Sequence, residues 1–173
     1  MKQKVLTRSD IVDYADDILR CYNCNRLIFD MDSPLSVNNN MEVCDFLIPY
    51  TEAEDSLVLG VVDDTDKYLY GLVIFDNIRT DGTITTAQVH IVTDKAVFGK
   101  TIKMVYEDIL NFGLIDIIYC EIPQIAVQAI GMCKRLGFKK TGYIPKALPY
   151  TNCSGEKKLY DLNIFVRERI SEQ

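Results

Sequence analysis

The sequence predicts a mixed α/β domain, a mostly antiparallel central sheet flanked by helices on both faces. Three observations point there. Across 173 residues, apolar runs of strand length alternate with patterns of period near 3.6. The turn signals Asp63-Asp64-Thr65-Asp66 and Asp81-Gly82 separate three consecutive strand-like runs, the signature of an antiparallel meander. In the second half, strand and helix patterns alternate, which places helices across a sheet. The length suits a single domain over residues 1–173 with one core.

In chain order, a short strand is expected at Lys4 to Leu6. Thr7 reads as an N-cap, with Asp10 three residues on completing an approximate capping box. The helix that follows puts Ile11, Ala15, Ile18, Leu19 and Tyr22 on one face. Between Asn23 and Asp55 the pattern weakens. Asn38-Asn39-Asn40 is a turn or cap signal, Met41 and Cys44 suggest a second short helix, and Pro49 is expected to stop it. Strands follow at Ser56 to Val62, Tyr68 to Ile78 and Thr83 to Val92. A helix is expected over Val97 to Phe112 and a strand, buried on both faces, over Ile115 to Ile122. A second helix is expected from Pro123 to Leu136, closed by Gly137 as a C-cap. A final hairpin is framed by Gly142 and the Asn152 to Gly155 turn, with Leu159 to Val166 as its second strand.

Composition narrows the function classes. With 48% hydrophobic and 25% charged residues the chain has the balance of a folded globular protein. No apolar run reaches the ~18 residues a membrane helix needs. The N-terminus Met1-Lys2-Gln3-Lys4-Val5 lacks an apolar signal core, so the expected location is the cytoplasm. A net charge of −6 repels phosphates, and nucleic-acid binding is not expected. Lys134, Arg135, Lys139 and Lys140 read as the solvated end of a helix, where cations also suit the helix dipole. Of the six cysteines only Cys21 and Cys24 form a C-x-x-C pair, and no strand precedes it. A zinc site needs about four ligands, so reduced thiols and no metal site are expected. Cys120 and Cys133 lie in apolar periodic segments and read as buried small hydrophobes.

The second half carries a more specific pattern. A strand bearing the one histidine, His90, leads through a loop holding Gly99 into a helix. An apolar strand and a second helix ending in Arg135-Leu136-Gly137-Phe138 follow, then Gly142, Pro145 and a last strand. This order resembles the GNAT superfamily of N-acetyltransferases over nearly the whole chain. The resemblance implies acetyl-CoA as co-substrate and an amine as acceptor, with the Asn23 to Asp55 region facing the acceptor. It implies that the strands bearing His90 and Cys120 are neighbours that splay apart at their C-terminal ends to admit pantetheine. Gly99, Lys100 and Thr101 would hold the pyrophosphate on backbone amides at a helix N-terminus. A strand amide near Ile91 and Val92 would hold the thioester carbonyl.

Four positions depart from the family pattern. Ala96 stands where Arg or Gln is usual and Thr101 where a second glycine is usual. Ala126 replaces a frequent Asn, and Cys133 replaces a frequent Tyr acid. His90 shares a strand face with Thr86, Gln88 and Val92, and two readings stay open for it: the base that deprotonates the amine through a water, or a hydrogen-bonded structural histidine. Tyr160 and Asp161 lie within expected reach of the same cleft, although Tyr160 also fits a half-buried strand aromatic. The degenerate loop and the strand histidine further resemble GNAT-like proteins of tailed bacteriophages. That implies a non-catalytic alternative, a head or virion assembly protein with phage structural proteins as partners in the host cytoplasm.

Overall fold

The computed structural model describes residues 1–24, 37–94, 100–111, 115–151 and 156–169. The expected architecture is present. Seven strands form one sheet: β1 (Lys2–Val5), β2 (Leu57–Val62), β3 (Leu69–Asp81), β4 (Ile84–Thr93), β5 (Ile117–Pro123), β6 (Lys139–Thr151) and β7 (Lys157–Glu168). Their spatial order is β1-β2-β3-β4-β5-β7-β6, and every adjacent pair is antiparallel except β4–β5. Among the described residues the helices are α1 (Arg8–Asp13), α2 (Ala15–Cys24), α3 (Asn40–Glu52), α4 (Lys100–Leu110) and α5 (Val127–Arg135).

Strand alternation sends side chains to two separate cores. On one face Val73, Phe75, Ala87, Val89, Ile118 and Cys120 pack with Tyr106 and Ile109 of α4 and Cys133 of α5. On the other, Leu72, Ile74 and Val92 pack with Ile11, Ile18, Val43 and Leu47 of α1 to α3. The stripe at Ile11, Ile18 and Tyr22 is buried as its spacing predicts. It spans two helices rather than one, because Tyr14 leaves helical angles (φ −97°, ψ 11°) while its hydroxyl donates to Asp66 O at 2.8 Å.

Local chemistry explains most boundaries. The Asp63 carboxylate accepts from the backbone N–H of Lys67 (2.7 Å) and Tyr68 (2.9 Å) and from Thr65, which tightens the β2–β3 turn. The Thr65 hydroxyl is the foremost of the donors that hold this carboxyl far below its usual range. Gly137 takes φ +84°, and its N–H donates to Lys134 O (3.2 Å) while Phe138 N–H donates to Cys133 O (3.1 Å). That pair of bonds is a Schellman closure, sealed by buried Phe138 and Cys133.

Three expectations need correction. Pro49 lies inside α3, which runs on to Glu52; Ala53 N–H still reaches Pro49 O at 3.0 Å, so only the last turn carries the missing donor. Pro123 ends β5 instead of opening a helix, and α5 starts at Val127. β5 is buried on one face only: Ile118, Cys120 and Ile122 are buried, whereas Tyr119 and Glu121 are partly exposed. Among the described residues no helix covers the second face there, so an apolar-looking run carries a half-open polar side.

Thr7 forms the expected capping box, donating its N–H to Asp10 Oδ2 at 2.8 Å. Lys4 Nζ adds an ion pair to Asp10 Oδ1 at 2.7 Å. Partial burial pushes the Asp10 carboxyl up, but the Lys4 and Thr7 bonds outweigh it and hold the group below its usual value. A depressed carboxyl stabilises the fold above its unfolded pKa, and this contribution is lost as pH falls through the folded value. Asp10→Asn is therefore expected to lose about 1 kcal/mol at neutral pH, a difference that shrinks below about pH 4. Urea unfolding of both proteins across that range checks it.

Candidate active site

The β4–β5 junction organises the site. These strands pair in parallel over three positions only, Thr86↔Ile117, Ala87↔Ile118 and Gln88↔Tyr119. Asp116 fastens the closed end: its Oδ2 accepts from Thr85 N–H (2.9 Å) and its own N–H donates to Thr85 O (2.8 Å). Beyond Gln88, β4 continues to Thr93 paired with β3, and β5 continues to Pro123 paired with β7. The strands thus splay at their C-terminal ends, as expected, and His90, Ile91 and Val92 lie on the β4 side of the gap.

A parallel neighbour requires a crossover, and α4 lies on that crossover. A crossover helix begins at the C-terminal ends of the strands it joins, the end at which this gap opens. No acidic residue occupies the first turn of α4, so the partial positive charge of its N-terminus is not offset from within that turn. Gly99 lies outside the described residues. Lys100 and Thr101 are the first two positions of α4.

Two buried contacts brace α4. Tyr106 Oη donates to Val92 O at 3.4 Å, tying the helix to the end of β4. Burial pushes this phenol well above its usual range, so it remains a donor. Gly71 makes the contact sterically feasible, since a Cβ there would collide with Tyr106 Oη and come within 2.7 Å of Val92 O. At the other end, Arg167 Nη1 donates to Leu110 O (2.8 Å) and Nη2 to Asn111 Oδ1 (2.7 Å). The buried guanidinium thereby caps the helix C-terminus.

α2 clamps the end of β4. Arg20 bonds Asp94 Oδ2 (3.2 Å), Asp17 Oδ1 (3.0 Å) and Leu69 O (2.9 Å), and Asp17 Oδ2 accepts from Leu69 N–H (2.8 Å). Cys21 beside them is fully buried, and desolvation pushes its thiol up to about 12. It is an inert thiol at neutral pH.

His90 sits on the face shared with Gln88 and Val92, as the alternation predicts, and its side chain is 28% exposed. Its Nε2 lies 3.4 Å from Asp76 Oδ2. Tyr119 and Glu121 stand on the same sheet face across the gap, since Tyr119 is paired with Gln88. Burial, then the charges of Asp76 and Glu121, raise the Tyr119 phenol against the opposing effect of Arg79. Asp76, Tyr119 and Glu121 went unrecognised in the sequence. Asp76 stands among apolar β3 residues at a core-facing position, a sign of special purpose. Tyr119 and Glu121 were masked by reading β5 as buried on both faces.

Other expected residues have structural uses. Cys133 is buried with its Sγ 3.1 Å from Cys120 Sγ, packing as its apolar surroundings suggest. Asp161 Oδ1 accepts from Lys146 N–H (3.0 Å), and Tyr160 meets the Tyr150 ring edge-on at 6.3 Å between centroids. Val92 is buried, and its carbonyl is the acceptor for Tyr106.

No protein-family model matches this sequence, and no curated protein resembles it in sequence. Solved structures do resemble the fold. Spermidine N-acetyltransferase from Vibrio cholerae, in complex with CoA and spermine, superposes with a TM-score of 0.71 at 17% identity, covering 97% of this chain and 95% of that one. A GNAT-family acetyltransferase from Bacillus anthracis gives 0.69 at 13% identity, covering 99% and 97%. One from Streptococcus pneumoniae gives 0.65 at 13%, covering 96% and 98%. The chain has the fold of the GNAT N-acetyltransferases. That likeness does not bear on the bacteriophage resemblance. Among the described residues, no helix is long and apolar enough to cross a membrane.

The Gly71–Tyr106 contact makes a quantitative prediction. Gly71→Ala is expected to destabilise by about 1–3 kcal/mol through overpacking. Tyr106→Phe is expected to cost about 1 kcal/mol for the lost hydrogen bond. The double variant should lose less than the two singles together, because removing Oη relieves the tightest clash of the new methyl group, while the one with Val92 O remains. A double-mutant cycle by chemical denaturation measures the coupling.

Proposed function

We propose that this protein is an N-acyltransferase that moves the acetyl group of acetyl-CoA to an amine acceptor in a ternary complex. The observation that carries the reading is the splay of β4 from β5 beyond Gln88 and Tyr119, at the strand ends where α4 begins. The fold shared with CoA-dependent transferases supports it. In this reading the loop at Gly99, with the Lys100 and Thr101 backbone, receives the pyrophosphate. Pantetheine enters the gap, and a β4 amide near Ile91 and Val92 holds the thioester carbonyl as negative charge develops on its oxygen.

The acceptor reaches the thioester from the face of Asp76, His90, Tyr119 and Glu121, where two carboxylates favour an incoming ammonium group. The ammonium gives a proton to His90 through a water. The free amine then attacks the carbonyl carbon, the C–N bond forms, the C–S bond breaks, and CoA leaves as thiolate and takes up the second proton that the new amide nitrogen sheds. The amide product retains the acetyl group.

One observation favours the second reading, a non-catalytic GNAT-fold protein of bacteriophage head or virion assembly. Cys133, at the position of the usual proton donor, packs against Cys120 in the core. Titration with acetyl-CoA by calorimetry separates the two. Saturable binding is expected, and absence of binding at millimolar ligand sinks the transferase reading. His90→Ala is expected to lower turnover by about 10²–10⁴-fold, most steeply at low pH, and to leave acetyl-CoA affinity nearly unchanged. A change confined to thermal stability would mark His90 as structural.

A further inference from the structure

We infer that Asp76 is the positioning residue of His90, holding its imidazole through Nε2 as a carboxylate–histidine pair. The inference rests on the reading of His90 as the base. It starts from a backbone irregularity. Asp76 pairs with Gln88, but the next matched pair is Arg79↔Thr86, so one extra residue is inserted into β3 immediately after Asp76. Asn77 absorbs it with φ +50°, a left-handed conformation uncommon for a non-glycine residue. Ile78 N–H then leaves the ladder and donates to Asp55 O at 2.9 Å, which holds the bulge in place. Bulges of this kind re-aim a neighbouring side chain. Here the neighbour is a carboxylate on the sheet face of His90, two pairs along the ladder.

The contact has the geometry of a pair. Asp76 Oδ2 lies 3.4 Å from Nε2, and the two side chains are only 15% and 28% exposed. The other carboxylate oxygen, Oδ1, is buried with no hydrogen-bond partner among the described residues. A carboxylate so short of donors gains most from the N–H it faces, so Nε2 keeps its proton and the neutral ring carries its basic lone pair on Nδ1. When His90 accepts a proton, the imidazolium forms beside the Asp76 carboxylate, whose charge favours it. Among the described residues, the titratable and charged groups on this face near the pair are Arg79 on β3 and Tyr119 and Glu121 on β5.

Because the chain contains one histidine, its imidazole resonances need no assignment. The test is an NMR titration of the full chain, parent against Asp76→Asn, with thermal unfolding to verify folding. The expected result is a titration midpoint for His90 lower by about one pH unit in Asp76→Asn, because the charge favouring imidazolium is gone. At high pH, ¹⁵N shifts should report the Nε2–H tautomer in the parent and a mixture in the variant. Asp76→Glu, which keeps the charge, should lie closer to the parent and serves if the asparagine variant unfolds. Equal midpoints and tautomers in the folded proteins overturn the inference. In turnover assays kcat should fall roughly 10-fold or more, part of what a general base contributes, with the acid limb displaced to lower pH and acetyl-CoA affinity unchanged. An unaltered kcat and pH profile also overturns it. Failure of the transferase reading looks different: the parent binds no acetyl-CoA and turns over no amine, while the NMR comparison still decides whether Asp76 holds His90.

Discussion

Three backbone pairs, Thr86 to Gln88 of β4 against Ile117 to Tyr119 of β5, join the two halves of this molecule. On one side lies the antiparallel meander β1 to β4, and on the other the unit β5, β7 and β6. Each half satisfies its own backbone by antiparallel pairing. The parallel seam between them is short and ends while both strands continue. Asp116 anchors its root by exchanging two hydrogen bonds with the Thr85 backbone. From that root the strands diverge, and the gap is a consequence of where pairing stops. A longer ladder would close it.

The same seam dictates the placement of α4. Parallel neighbours cannot be joined by a tight turn, so the chain crosses over one face. The crossover ends up braced by Tyr106 against Val92 and by Arg167 against the last carbonyls of the helix. Both braces are polar groups buried in the core and satisfied there, the condition under which buried polarity stabilises rather than strains. Gly71 belongs to the same device, because only a residue without Cβ leaves room for the tyrosine hydroxyl.

Around this frame the buried charges among the described residues are hydrogen-bonded, with one partial exception. Asp94 has Arg20, and Arg167 has two oxygen acceptors. Asp76 has a partner for one oxygen and none for the other among the described residues. Its position beside a β-bulge, a positive φ and the one histidine is the kind of local rule-breaking that folds tolerate where a side chain has a task.

Much of the fold was legible in the sequence because it is encoded in short-range physics. The capping box at Thr7 and Asp10, the left-handed closure at Gly137, the aspartate-rich turns and the period of Ile11, Ile18 and Tyr22 are read within a few residues of chain. His90 was found as a lone titratable group on a polar strand face, and Cys133 as a packing thiol from its apolar neighbours. Pro49 and Pro123 misled because a proline signals a boundary without saying which element it bounds. The open polar face of β5 was invisible for another reason: an alternating strand and a doubly buried one differ only in what the rest of the molecule lays across them. The sequence by itself determined the elements, their caps and the histidine. That β4 lies beside β5 was implied by the family resemblance; tertiary structure alone decided that their pairing ends after three residues and that Asp76 faces His90. Those contacts join residues far apart in the chain, and their cause is strand register and the stopping point of a ladder, which no local pattern records.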